Sequence, residues 1–152
     1  MSGPRQSLRH SSHRRRRRRG GNERRSKPSV IAALDLGTNN CRLLVARPLP
    51  DGFVVIDGYS RVVRLGEGMA FSGNMSDEAM DRAVAALKVC ADRIRRRGVT
   101  HGRYVATEAC RQAANGPEFI ARVEQETGLT LEALPSREEA ELTLAGCLPL
   151  LD

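Results

Sequence analysis

An α/β fold built on a mixed sheet is what the order of apolar patterns in this chain predicts, and three observations carry that reading. Two apolar runs, residues 30–36 and 41–45, flank a Gly-Thr-Asn-Asn turn and read as two strands of a hairpin. Residues 76–97 repeat their apolar side chains at helical spacing. Beyond them, short apolar runs alternate with further helical patterns, so the expected order is βββαβαβα with crossover helices.

The hairpin comes first because its turn offers chemistry. Gly37 lets a ligand approach the backbone, and successive N–H groups there form an anion-binding nest. Thr38, Asn39 and Asn40 add side-chain donors, and Asp35 is a hard oxygen ligand of the kind that holds Mg²⁺ beside phosphates. The same residues would also suit an ordinary turn with no further role. Next, Asp51-Gly52 is a turn signal, and residues 53–56 and 61–65 read as one long or bent third strand. Gly66-Glu67-Gly68 breaks it, as a plain loop or as one facing the site. Ser76 then opens the clearest helix, with Asp77 and Glu78 suited to its first turn and Met80, Ala83, Val84, Leu87, Cys90, Ala91 and Ile94 on one face. Arg95, Arg96 and Arg97 close that helix before Gly98, either as a binding patch or as complements to its dipole.

A short strand over 102–107 follows and runs into Glu108. Asn115 or Gly116 starts a second helix, with Pro117 in its first turn and Gly128 at its end. Residues 129–134 read as a strand. Ser136 and Glu139 match the capping-box pattern and open a third helix carrying Ala140, Leu142, Leu144, Ala145, Cys147 and Leu148. Open α/β sheets bind ligands at the carboxyl ends of their strands. Residues 35–40 and Thr107-Glu108 occupy two such ends, so a phosphate-cradling turn faces a carboxylate, as metal-assisted hydrolysis requires.

Composition narrows the options. The 152 residues carry a formal charge of +7, but residues 1–27 hold 11 basic residues against one acid, Glu23, leaving the remainder at −3. That tail has six consecutive arginines, beginning at Arg14 and ending at Arg19, and too few apolar residues to fold, so it reads as disordered. It would bind a polyanion without sequence preference, or serve as a solvated leader with no role. It lacks the apolar core of a secretory signal, and no apolar run approaches membrane-spanning length. Cys41, Cys90, Cys110 and Cys147 form no C-x-x-C pair and read as reduced core residues of a cytoplasmic protein.

Three segments then stand together: 35–43 (Asp-Leu-Gly-Thr-Asn-Asn-Cys-Arg-Leu), 64–68 (Arg-Leu-Gly-Glu-Gly) and 107–115 (Thr-Glu-Ala-Cys-Arg-Gln-Ala-Ala-Asn). In order and spacing they resemble the N-terminal part of the Ppx/GppA family, exopolyphosphatases and guanosine pentaphosphate phosphohydrolases of the actin-like ATPase (ribonuclease H-like) superfamily. The resemblance covers residues 28–152. It implies that Asp35 lies near the metal, and that Gly37, Thr38 and Asn39, with Asn40 beside them, line the first phosphate loop. It further implies that Glu108 positions or activates the attacking water, and that Arg111 shapes the cleft or binds phosphate. The family's acidic helix start matches residues 136–142, but its first acid is replaced by Arg137, which leaves Glu138 or Glu139 as the second carboxylate; Glu139 is the residue assigned. The implied cofactor is Mg²⁺ and the implied substrate is polyphosphate or guanosine pentaphosphate. Family members continue into a second phosphate loop and a second lobe. The chain reads as one lobe of a two-lobed hydrolase, not active alone, with an uncovered sheet face favouring self-association and a possible homodimer in the full-length form.

Overall fold

The computed structural model describes residues 29–147, and the expectation for the 1–27 tail falls outside them. Five strands form one sheet in the order β3-β2-β1-β4-β5. Strands β1 (Ile31–Leu36), β2 (Asn40–Leu49) and β3 (Gly52–Val62) are an antiparallel meander. Strands β4 (His101–Ala106) and β5 (Glu132–Ala133) add to the other side of β1, both parallel. The parallel pairs require crossovers, which α2 (Asp77–Arg96) and α4 (Gly116–Thr127) supply. Two short helices, α1 (Met69–Ser72) and α3 (Glu108–Gln112), punctuate this order, and α5 (Ser136–Cys147) ends it. The expected α/β class and its βββαβαβα order hold, with those short turns of helix added.

Strand alternation places the core. Ala32, Leu34 and Leu36 on β1 and Cys41, Leu43 and Val45 on β2 are buried, while Ala33, Asp35, Arg42 and Leu44 face the other way. The buried face meets Ala83, Val84, Leu87, Cys90 and Ala91 of α2, with Phe119 and Val123 of α4 completing the core. A register shift between Val45 and Ala46 interrupts the alternation, so both are buried and β3 bends against them. Ser76 caps α2 as expected, its Oγ accepting from the Ala79 N–H at 3.2 Å. Cys41, Cys90 and Cys110 are buried free thiols, the first two 3.9 Å apart, and burial pushes the Cys110 thiol up to about 11.

Three expectations are corrected. The strand expected over 129–134 shrinks to Glu132 and Ala133, the two residues that pair with β4, while Leu129, Leu131 and Leu134 are buried in the core. The capping box at Ser136 does not form. The Glu139 N–H donates to the Pro135 carbonyl, so the helix starts a residue earlier and both box side chains are free for other partners. The apolar residues of α5 are not a buried face: Leu142 and Leu144 stay 44% and 61% exposed. Leu148 and the Cys147 side chain lie outside the described residues. The sheet face beneath α5 is an open apolar groove of about 680 Å³, reached by Ala33, Leu44, Val105 and Leu142.

Candidate active site

The carboxyl ends of β1 and β4 lie side by side, since Leu36 pairs with Ala106, and each runs directly into a chemistry-bearing turn. The β1–β2 turn closes through a Gly37 N–H bond to the Asn40 carbonyl at 2.9 Å. The β4 end is tied to it by Thr107, whose N–H donates to the Leu36 carbonyl at 3.0 Å, with Thr107 itself buried. Glu108 therefore starts α3 beside the turn. Between them lies a cavity of about 250 Å³ lined by Asp35, Gly37, Thr38, Asn39, Asn40, Arg42, Thr107, Glu108 and Glu139. Seven of the eight residues singled out from the sequence share this one cavity.

The eighth, Arg111, stands behind it. Its guanidinium donates to Glu139 Oε2 at 3.2 Å, to Ser136 Oγ at 3.0 Å and to the Leu134 carbonyl. It thereby anchors the start of α5 and aims Glu139 at the cavity. Of the two acids, Glu139 lines the cavity, whereas Glu138 pairs with Arg103 and Arg137 pairs with Glu141.

Electrostatics at the turn are uneven. Asp35 sits on the open sheet face, yet the surrounding protein desolvates its carboxyl enough to push its pKa above the ordinary carboxylate range. Arg42 opposes this rise and the like charge of Glu139 adds to it. Arg42 was not singled out from the sequence, although the signal existed. In a hairpin closed by Gly37 and Asn40, the residue opposite Asp35 is Arg42. Glu108 is exposed, and Gln112 one turn later donates to its Oε1 at 2.8 Å, which restrains the carboxylate from the solvent side.

The Gly66–Gly68 break is more than a loop. Gly66 N–H donates to the Thr38 carbonyl at 3.1 Å, and the Val63 and Arg64 N–H groups donate to that of Asn39. A Cβ on Gly66 would lie 2.4 Å from Thr38 Cγ2, so this glycine permits the loop to brace the turn. At Gly37 the same test meets only ordinary contacts, 3.5 Å or longer. Any need for glycine there comes from the ligand side, not from the chain. A second hollow of about 330 Å³, lined by Thr38, Gly66, Met69, Ala70, Gly73, Glu108, Ala109 and Gln112, opens on the other side of Glu108.

For a hard divalent cation the donor set is suitable: carboxylates of Asp35, Glu108 and Glu139 with neighbouring hydroxyl and amide oxygens. Among the described residues, no three ligating side chains are gathered into a preformed cage. Mg²⁺ is commonly held by one or two carboxylates together with substrate phosphates, so the open arrangement fits that ion.

A mixed sheet with an amide-rich turn and acids at adjoining strand ends defines the class as an α/β lobe with a polar cavity at its strand ends. The profile of the Ppx/GppA phosphatase family matches residues 44–150. The chain belongs to the Ppx/GppA phosphatase family, and it shares its fold with part of that family's solved structures. It is similar to the Aquifex aeolicus family member at 29% identity and TM-score 0.71, covering 73% of this chain and 36% of that one. An exopolyphosphatase from Cytophaga hutchinsonii matches at 31% identity and TM-score 0.72, over 75% of this chain and 36% of its own. An exopolyphosphatase-like protein matches at 36% identity and TM-score 0.71, over 75% and 35% respectively. The chain thus spans about a third of the length of these structures. No helix among the described residues is long and apolar enough to cross a membrane.

Proposed function

We propose that this lobe provides the first phosphate loop and the water-activating carboxylate of a hydrolase that releases terminal phosphate from phosphoanhydrides, with inorganic polyphosphate favoured over guanosine pentaphosphate. The observation that carries the reading is the shared cavity of residues 35–40, Glu108 and Glu139. Its lining holds donors and acids but no aromatic ring, so it suits a phosphate chain better than a base.

In this reading, backbone N–H groups and the Thr38, Asn39 and Asn40 side chains orient the terminal phosphate. Arg42 offsets its charge from the neighbouring strand. Glu108, held by Gln112, accepts a proton from the attacking water. Glu139, aimed by Arg111, orients that water from the opposite wall. Asp35, with Glu139 or Glu108, would hold Mg²⁺, which supplies charge neutralisation of the phosphate oxygens when bound. One lobe alone leaves phosphate half-surrounded and water unexcluded, so the strongest turnover belongs to a protein with both lobes.

Two measurements test this. Tripolyphosphate with Mg²⁺ raises the melting temperature of the chain, and Asp35→Asn abolishes the rise. In a protein joining this lobe to its second lobe, Glu108→Gln lowers kcat by about 10²- to 10⁴-fold while tripolyphosphate binding persists. Unchanged turnover in Glu108→Gln removes the general-base assignment.

A further inference from the structure

The arginine triplet that ends α2 finds no use in the cavity just described, because it lies at the opposite end of the sheet. Asp35 and Glu108 sit at the carboxyl ends of β1 and β4, whereas Arg97 precedes the amino end of β4 by four residues. The 20 residues of α2 separate its two ends by about 30 Å. At the far end Arg93, Arg96 and Arg97 border a hollow of about 620 Å³ together with Asp57, Val89 and Asp92.

The guanidinium groups there are oriented rather than loose. Asp57 on β3, its side chain only 11% exposed, accepts from Arg93 Nη1 at 2.6 Å and from Arg97 Nε at 2.8 Å. Arg93 is further fixed over the Tyr59 ring, 5.3 Å from its centroid. Because Arg97 is gripped by Nε alone, its terminal amino groups remain available. Arg96 is exposed and makes no hydrogen bond or ion pair among the described residues. Asp92 is occupied by Arg95. Four arginines thus face two acids, and the excess charge is positive.

The same end receives the start of the described chain. The Val30 carbonyl accepts from Thr100 N–H at 2.8 Å and from Thr100 Oγ1 at 3.1 Å, and Thr100 lies three residues beyond Arg97. The first described residues, Ser29 and Val30, therefore lie at the same end of the sheet as the arginine hollow. Single-stranded nucleic acid sites pair such charge with aromatic platforms for the bases. No aromatic residue lines this hollow. A linear polyanion without bases suits it better.

We infer that Arg93, Arg96 and Arg97 form a second anion site that holds the distal part of a long polyphosphate chain, about one lobe-length away from the cavity that takes its terminus. This extends the polyphosphate reading above. It accounts for a basic patch at the end of the lobe remote from the reacting group.

The test is binding, so it does not depend on turnover. Long-chain polyphosphate and tripolyphosphate are titrated onto the full chain and onto Arg96→Glu, over a series of salt concentrations. Arg96 supports no other described contact, and matched thermal unfolding of the variant confirms that folding is retained. The expected result is a loss of long-chain affinity of about tenfold, a salt slope lower by about 1, and unchanged tripolyphosphate binding. Unchanged long-chain affinity and slope overturn the second site, leaving the cavity reading intact. Equal losses for both probes place the arginine's influence on the cavity and also overturn it. A single-stranded RNA that binds in an Arg96-dependent manner and that long-chain polyphosphate fails to displace overturns the choice of ligand. Loss of tripolyphosphate binding in Asp35→Asn with retained long-chain binding supports both sites at once.

Discussion

Asn115 offers the sharpest test of how this lobe is held together. It stands at the N-cap position of α4 but makes no capping bond there. Its side chain instead reaches 40 residues back, where Oδ1 accepts from the Met75 N–H and Nδ2 donates to the Met75 carbonyl, both at 2.9 Å. Met75 is 2% exposed, so water cannot readily replace either bond once the amide is gone. Each stranded backbone group then costs about 1–1.5 kcal/mol, and Asn115→Ala should destabilise the lobe by about 2–3 kcal/mol. With a urea slope of about 1–3 kcal/mol/M, the unfolding midpoint falls by roughly 0.7–3 M. Asn115→Asp keeps the acceptor and loses the donor, so it should fall between the variant and the parent. The joint it closes links the loop before α2 to the segment carrying Glu108, as does the Ala114 N–H bond to the Gly73 carbonyl. Equilibrium unfolding followed by circular dichroism reads the effect. An alanine variant within about 0.5 kcal/mol of the parent refutes the reasoning, since it would mean that Met75 finds other partners at no cost.

Three further outcomes are expected. Gly116→Ala would bring a Cβ to 2.0 Å from the Cys110 carbonyl oxygen, forcing the α3 and α4 backbones apart at a cost of about 1–3 kcal/mol, measurable in the same unfolding assay. Gly66→Ala should leave stability nearly unchanged but push Thr38, stiff at its branched Cβ, off its position; tripolyphosphate affinity measured by calorimetry should fall about tenfold, one charge-assisted hydrogen bond's worth. Asp35 carries a raised folded-state pKa, so its contribution favours folding below the ordinary carboxylate pKa and is lost as pH rises through the folded value. Asp35→Asn should therefore stabilise the ligand-free lobe at pH 7 and give no gain at acid pH, as thermal unfolding across that range would show.

Local chemistry was legible without a structure wherever the partner lay nearby in sequence. A hairpin closed by Gly37 and Asn40 sets Asp35 at a strand end by its own symmetry. Ser76 caps α2, and positive φ at Gly98 and Gly128 supports the ends expected for α2 and α4, because cap and turn preferences act over a few residues. Adjacent placement of residues 35–40 and Glu108 followed from the rule for strand ends, and the parallel register of β1 and β4 realises it.

The remainder depended on groups far apart in the chain. Ser136 and Glu139 satisfy a capping pattern on paper, but Arg111 captures both side chains from a different helix. Asn115 looks like a cap and serves as a strut, and Gly66 looks like a loop residue although its missing Cβ makes room for Thr38. Glu139 lines the cavity, whereas Glu138 is occupied by Arg103 on β4. By itself the sequence determined the elements, the Gly-Thr-Asn-Asn turn and the acids that accompany it, since periodicity and turn chemistry are short-range properties. Only the tertiary structure decided which acid enters the cavity and which arginines face away from it, because competition among distant hydrogen-bonding partners is settled when the chain packs.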